Sequence, residues 1–87
     1  MTHAVVWNIQ AARARRRLRE LDPDGAALLI AAINALADDP RPANAAALGG
    51  SGWFYLRLGQ FRAVYEVRDD QDVVYVNNVG RLPPQRR

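Results

Sequence analysis

Arginines and aromatic residues alternate along two consecutive segments in the second half of the chain. Trp53, Tyr55 and Arg57 are spaced two residues apart, and Arg62 and Glu66 follow in the next segment. Because residues two apart in a β-strand point to the same side, each set is expected to share one face of a sheet. Guanidinium groups bind phosphate and aromatic rings stack on unpaired bases, so this pattern is typical of a surface that binds single-stranded RNA.

A simpler interpretation of the same residues stays open. Arginines on an exposed sheet face are often only solvated, or they pair with nearby carboxylates such as that of Glu66. Glu66 shares the predicted face of Arg62 and is therefore a candidate general base, although a salt bridge is its simpler role.

The composition excludes several other kinds of chemistry. The chain has no cysteine, so it can form neither a disulfide nor a thiolate metal site. It has no glycine-rich phosphate loop and no group of carboxylates and histidines at metal-ligand spacing. The one histidine, His3, lies next to the N-terminus and is expected to be structural. We therefore predict that the protein uses no metal and no cofactor.

Charge and hydropathy indicate the partners and the compartment. The 12 basic residues are all arginine and outnumber the nine acids, giving a formal charge of +3, which suits a phosphate-rich partner. The N-terminus lacks the basic segment and apolar run of a signal peptide, and no stretch approaches about 20 uninterrupted apolar residues. We expect a cytoplasmic protein that does not associate with membranes.

The first half of the chain predicts one strand and a helical hairpin. The β-branched and aromatic segment Ala4–Trp7 favours a strand, and Asn8 can cap a helix over Ile9–Leu21. Residues 22–25 combine a helix stop with a restart, and a second helix is predicted over residues 24–37. The apolar residues at helical spacing are Ala11, Ala14, Leu18 and Leu21 in the first helix and Ala26, Leu29, Ile33 and Leu36 in the second. Residues 38–50 are rich in proline, alanine and glycine and predict a loop.

The second half predicts three consecutive antiparallel strands. Segments Trp53–Leu58, Phe61–Arg68 and 72–79 are dense in aromatic and β-branched residues and are separated by turn-forming residues. The predicted fold is a single α+β domain over residues 1–87, in which the first strand joins the same sheet at an edge or in its centre. The helices cover one face, against Phe61, Ala63, Tyr65 and Val67, and leave the arginine face open.

The run from Leu48 to Val67 resembles the strand–turn–strand signature of the RelE/ParE toxins of type II toxin–antitoxin systems. It contains the pattern Gly-x-[Phe/Tyr]-Arg-x-x-Tyr as Gly59 to Tyr65. Trp7 before an Ala- and Arg-rich helix, a helical hairpin that ends in Asp-Pro, and the closing Val79-Gly80-Arg81 extend the resemblance over essentially the whole chain.

The resemblance implies a RelE-like activity and a set of site residues. RelE-like members cut mRNA in the ribosomal A site without a metal, using the 2′-hydroxyl as nucleophile on the adjacent phosphate. By motif position, Arg62 and Arg81 are the expected catalytic residues. Arg57 is the expected supporting phosphate contact. Independently of the resemblance, the alternating strand pattern adds Trp53 and Tyr55 to the expected RNA-binding residues, and the positive charge of the C-terminus adds Arg86 and Arg87.

The chain also departs from this pattern. Trp53 and Tyr55 stand where many ribonuclease members carry basic residues, and residues 82–87 lack the His or terminal Tyr that often completes the active site. A ParE-like inhibitor of DNA gyrase, or a degenerate toxin that acts mainly in a repressor complex, therefore remains an alternative.

The resemblance also implies partners. In each of these cases the expected partner is a cognate RelB-like antitoxin that wraps the helical hairpin or fills the open face. The ribonuclease further implies mRNA and the ribosome. Operator DNA is expected to be bound only through the antitoxin complex.

Overall fold

The computed structural model describes residues 2–82 and shows two helices and a five-stranded sheet. The predicted residues Arg86 and Arg87 lie outside the described residues. In chain order the elements are β1 (Ala4–Trp7), α1 (Ile9–Leu21), α2 (Pro23–Asn34), β2 (Ala45–Ala47), β3 (Trp53–Leu58), β4 (Phe61–Arg68) and β5 (Val73–Arg81). Single 3₁₀ turns follow α2 at Ala35–Ala37 and precede β5 at Asp69–Gln71.

The strands form one mixed sheet in the order β1-β5-β4-β3-β2. Strands β2 to β5 are antiparallel neighbours, whereas β1 runs parallel to β5 along the sheet edge. Parallel neighbours need a long connection, and here that connection contains both helices and the other strands. The predicted α+β fold with its helical hairpin and antiparallel meander is confirmed, and the first strand takes an edge position.

The loop predicted for residues 38–50 is wrong in its second part, where Ala45–Ala47 form β2. Ala46 lies opposite Tyr55 of β3, and the Leu48 amide donates to the Trp53 carbonyl at 2.8 Å. Alanine has little preference for strands, so the local sequence gave no sign of β2. Pairing with β3 determines this element, because it satisfies backbone groups of β3 that would otherwise lie at the edge.

Side-chain caps fix the start of each helix. The Asn8 side-chain oxygen accepts from the Ala11 amide at 2.7 Å, and the Asp22 carboxylate accepts from the Gly25 amide at 3.0 Å. The predicted bounds of α1 are confirmed, whereas α2 gives way to a 3₁₀ turn after Asn34. Leu21 has the helical spacing of Ala14 and Leu18 but does not pack in the core with them. It is the last residue of the helix, where the chain turns into α2, and its side chain is 69% exposed.

The core lies between the helices and one face of the sheet. Ala63, Tyr65 and Val67 of β4 are buried there, as predicted, and Phe61 is partly buried against them. Tyr65 stacks on Phe54 with ring centroids 5.7 Å apart, and its hydroxyl donates to the Pro40 carbonyl at 2.7 Å. Burial raises the pKa of Tyr65 from 10.0 to about 12. Tyr65 therefore anchors the segment after α2 to the centre of the sheet.

A cluster around Asp69 joins three distant parts of the chain. One carboxylate oxygen lies 3.0 Å from His3 Nε2, and the other accepts from Arg41 Nη2 at 2.7 Å. These two hydrogen bonds, that of Arg41 first, lower the pKa of Asp69. The His3 amide also donates to the Ala37 carbonyl at 2.7 Å. These contacts fit the structural role expected for His3.

Candidate nucleic-acid interface

The face of the sheet opposite the helices carries the predicted site residues of β3 and β4, and we call it the open face. The antiparallel register places these residues in three cross-strand pairs, Trp53 with Glu66, Tyr55 with Val64, and Arg57 with Arg62. Trp53, Tyr55 and Arg62 are partly buried and Arg57 is exposed. The structure therefore brings together five of the residues that the sequence predicted to bind RNA or act on it, namely Trp53, Tyr55, Arg57, Arg62 and Glu66.

Arg57 and Arg62 lie on either side of the turn that joins β3 to β4. The turn residues are Gly59 and Gln60, and Gly59 has a φ of 59°, which glycine adopts at little cost. Arg62 Nη1 donates to the carbonyls of Gly59 at 2.6 Å and Phe61 at 2.8 Å. Because a guanidinium carries five donors, these two bonds orient the Arg62 side chain and leave most of its donors for a ligand.

A shallow groove of about 150 Å³ runs beside Arg62. Gly80 of β5 lies directly opposite Arg62, and a Cβ placed on Gly80 would have no heavy atom within 4 Å apart from those of residues 79–81. The groove is therefore open because position 80 has no side chain. Its lining residues are Arg62, Val64, Asn78, Val79 and Gly80.

Asn78 is a residue of this groove that the sequence reasoning missed. Its side-chain oxygen accepts from the Val79 amide at 2.9 Å. A break in the β4–β5 register between Val64 and Tyr65 leaves one extra residue on β5 at this point. Bulges of this kind reorient side chains and occur often next to functional sites. The signal in the sequence was the polar pair Asn77-Asn78 inside a strand of β-branched residues.

A second groove borders Arg57 along β2. Asn44 fixes the backbone of Arg57 from two directions, because the Arg57 amide donates to the Asn44 carbonyl at 3.0 Å and Asn44 Nδ2 donates to the Arg57 carbonyl at 2.7 Å. The groove has a volume of about 450 Å³ and is lined by Ala43, Asn44, Ala45, Ala46, Arg57 and Gly59. The arginine pair thus lies between two concave surfaces.

Glu66 is engaged by another arginine of its own strand. Its Oε2 lies 3.5 Å from Arg68 Nη1, and Arg68 Nε lies 3.8 Å from Asp70. Within residues 2–82, neither Arg57 nor Arg62 has a carboxylate oxygen within 4.0 Å. The positive charge of the arginine pair is therefore not neutralised by an ion pair in the described part of the chain.

Arg81 does not join Arg62. It lies opposite Phe61, on the face that the helices cover, whereas the partner of Arg62 is Gly80. Arg81 Nη1 lies 3.5 Å from an oxygen of Asp22, the residue that caps α2. The structure therefore separates the two residues expected to be catalytic, because alternate residues of a strand point to opposite faces.

Comparisons with solved structures show which fold this is. The chain is similar to the RelBE2 toxin–antitoxin complex of Mycobacterium tuberculosis, with 23% identity and a TM-score of 0.77, covering 93% of this chain and 99% of that one. It is similar to the RelE–RelB complex of Pyrococcus horikoshii, with 22% identity and a TM-score of 0.80, covering 93% and 96%. It is also similar to the RelBE complex of E. coli, with 21% identity and a TM-score of 0.78, covering 94% of this chain and 99% of that one. The chain has the fold of RelE-type toxins.

The family follows from the sequence match. A model described as the ParE toxin of type II toxin–antitoxin systems, parDE, matches residues 5–81. The chain therefore belongs to the RelE/ParE toxins of type II toxin–antitoxin systems, which confirms the resemblance carried by the run from Leu48 to Val67. No curated protein matches the chain. No helix among residues 2–82 is long and apolar enough to cross a membrane.

Proposed function

We propose that this toxin binds mRNA on the ribosome with its open face and promotes metal-independent cleavage of the message in the cytoplasm. The observation that carries the proposal is the cross-strand pair of Arg57 and Arg62, whose charges have no carboxylate partner within 4.0 Å in the described residues. Trp53 and Tyr55 precede Arg57 on the same face of β3. Arginines beside aromatic rings suit a single strand whose bases are unstacked.

The chemistry needs little from the protein beyond orientation and charge. In the proposed step the RNA 2′-oxygen attacks the adjacent phosphorus, the bond from phosphorus to the 5′-oxygen breaks, and a 2′,3′-cyclic phosphate and a 5′-hydroxyl result. One proton leaves the 2′-hydroxyl and one reaches the departing 5′-oxygen. The two guanidinium groups stabilise the negative charge that develops on the phosphate oxygens.

The remaining site residues take supporting roles in this proposal. Trp53 and Tyr55 stack on bases, a contact worth about 1–3 kcal/mol per base. Glu66 acts as proton acceptor only if it leaves Arg68, and Arg81 reaches the RNA only if it leaves Asp22. Arg86 and Arg87 add positive charge for the RNA backbone.

We also propose a cognate RelB-like antitoxin as partner. The solved structures from M. tuberculosis, P. horikoshii and E. coli are toxin–antitoxin complexes. On the helical hairpin of this chain, Leu21 and Leu28 are 69% and 66% exposed and offer apolar surface to an amphipathic segment. Operator DNA would be bound only through that antitoxin.

Mapping transcript 5′ ends in cells tests the ribonuclease proposal. Expression of the chain without an antitoxin should produce new 5′ ends at fixed positions within codons of translated messages. Arg62→Gln should remove these ends, because the variant loses a charge at the reacting phosphate, whereas Arg17→Gln on exposed α1 should keep them. Unchanged 5′ ends in cells arrested by the toxin would contradict the proposal.

Inhibition of DNA gyrase is the second candidate function. The observation that favours it is that Glu66 and Arg81 are both engaged in ion pairs away from Arg62, which leaves the proton transfers of RNA cleavage without an assigned residue. A gyrase inhibitor should change plasmid supercoiling in the same cells and leave message 5′ ends intact. An absence of both effects, with the antitoxin complex still bound to operator DNA, would indicate a degenerate toxin.

A further inference from the structure

The outer surface of α1 carries a second group of arginines that the proposed function does not use. Arg13, Arg16 and Arg19 follow one another at intervals of three residues, so they share the helix face that points away from Ala11, Ala14 and Leu18. With Arg15, Ile9 and Ala12 they line a groove of about 400 Å³. We call these residues the α1 arginine surface.

The charge of this surface is not balanced locally. Within residues 2–82 no carboxylate oxygen lies within 4.0 Å of a guanidinium nitrogen of Arg13, Arg15, Arg16 or Arg19. The one acidic residue of α1 is Glu20. Like charges at this spacing destabilise a helix by a few tenths of a kcal/mol per pair, about 0.2–0.5. The stability of α1 therefore does not account for these arginines.

Trp7 holds one side of the surface in place. The Arg15 guanidinium lies 4.5 Å from the centre of the Trp7 ring, which is a cation–π contact between α1 and β1. The contact covers one face of the Trp7 ring, and α1 itself contains no aromatic residue. The surface therefore offers ordered positive charge and no ring on which an unpaired base can stack.

From this arrangement we infer that the α1 arginine surface binds the phosphate backbone of a duplex nucleic acid. Arg13 and Arg19 are six residues apart, about 9 Å along the helix axis. One strand of a duplex presents a phosphate about every 3.4 Å of its axis, so the arginines match two or three successive phosphates. Contacts of this kind position a protein on a duplex without reading its sequence.

The two surfaces can be occupied together, because α1 packs on the covered face of the sheet and its outer surface points away from the open face. The chain would then hold a single strand on one side and a duplex on the other. That the duplex is RNA rests on the proposed function, since a message on the ribosome is surrounded by folded RNA. The recognising chemistry, arginine on backbone phosphate, is the same for duplex DNA.

The test measures binding of the full chain to a short duplex RNA, a duplex DNA of the same sequence, a single-stranded RNA and polyglutamate, by fluorescence anisotropy at several salt concentrations. The first variant is Arg13→Gln/Arg16→Gln/Arg19→Gln. The matched control is Arg57→Gln/Arg62→Gln/Arg68→Gln, which removes three charges from the open face. Circular dichroism is used to check that both variants are folded before their binding is compared.

We expect the α1 variant to lose duplex affinity. The slope of log affinity against log salt should become shallower by about two to three, roughly one for each phosphate contact. The α1 variant should keep its affinity for single-stranded RNA, and the open-face variant should show the reverse. Duplex RNA should bind more strongly than duplex DNA, and the opposite order would contradict the assignment of the partner as folded RNA.

Unchanged duplex affinity and salt slope in the folded α1 variant would overturn the inference, whatever becomes of RNA cleavage. Loss of polyglutamate binding alone would also overturn it and assign the surface to an acidic protein. Failure of the proposed function would instead appear as single-stranded RNA binding that the open-face variant leaves intact.

Discussion

Arg57 and Arg62 face each other directly across the β3–β4 ladder, with one residue on each strand between them and the turn. Like charges in this position destabilise a sheet by an amount that reaches about 1 kcal/mol. Functional sites commonly retain such unfavourable arrangements, because the ligand supplies the missing opposite charge.

Removing one charge of this pair should therefore make the protein more stable and weaken its binding of RNA. We expect Arg57→Gln to raise the free energy of unfolding by a few tenths to about 1 kcal/mol and to weaken binding of single-stranded RNA. Arg57 suits the test better than Arg62, whose side chain also bonds to the turn carbonyls. Urea denaturation and RNA titration measure the two effects. A lower stability of the Arg57→Gln protein would refute the claim that repulsion between Arg57 and Arg62 destabilises the sheet.

Gly80 gives a test of the groove beside Arg62. A methyl group at this position meets no atom within 4 Å, so Gly80→Ala should fold with the stability of the wild type within about 0.5 kcal/mol. A longer side chain, as in Gly80→Leu, should fill the groove and weaken RNA binding. Thermal melts and anisotropy check both points, and full RNA affinity in Gly80→Leu would show that the groove takes no part.

The ion pair between Arg81 and Asp22 decides whether Arg81 is free to act. Asp22→Asn keeps an oxygen for the Gly25 amide but removes the pair, so it should change stability by less than about 1 kcal/mol. Asp22→Ala also loses the helix cap and should cost about 1 kcal/mol more. If Arg81 acts on RNA, cleavage should rise or stay constant in Asp22→Asn and fall in Arg81→Gln. Equal loss in both would make Arg81 a structural residue.

Tyr65 should give the protein a stability that declines in alkali. Because burial raises the pKa of Tyr65 from 10.0 to about 12 in the folded chain, the unfolded chain loses this proton first. The stabilisation is complete below pH 10 and is lost as the pH rises towards 12, at no more than about 1.4 kcal/mol per pH unit. Denaturation at several pH values should show a weaker decline for Tyr65→Phe, and an identical decline would contradict this assignment.

The parts of the fold that were predictable from the sequence are those determined by local patterns. The bounds of α1 followed from the Asn8 cap and the apolar periodicity, and the β3–β4 hairpin followed from Gly59 and the alternation around it. The same alternation predicted that Arg57 and Arg62 share the open face.

The rest depends on pairing between distant segments. β2 consists of three alanines and exists because β3 offers an edge. The face of Arg81 and the groove at Asn78 both depend on how β5 is aligned with β4 across an irregular register. The ion pair of Glu66 with Arg68 depends on side-chain conformation, which the alternation of residues along a strand does not specify.

Primer extension on a purified, ribosome-bound message tests the central claim most directly. The wild-type chain should cut the message only when ribosomes are present. Arg57→Gln/Arg62→Gln should cut at least about 100-fold more slowly, the usual effect of removing a group that stabilises transition-state charge. A wild-type chain that leaves the message intact, or a double variant that cuts at the wild-type rate, would contradict the claim that this arginine pair acts on RNA.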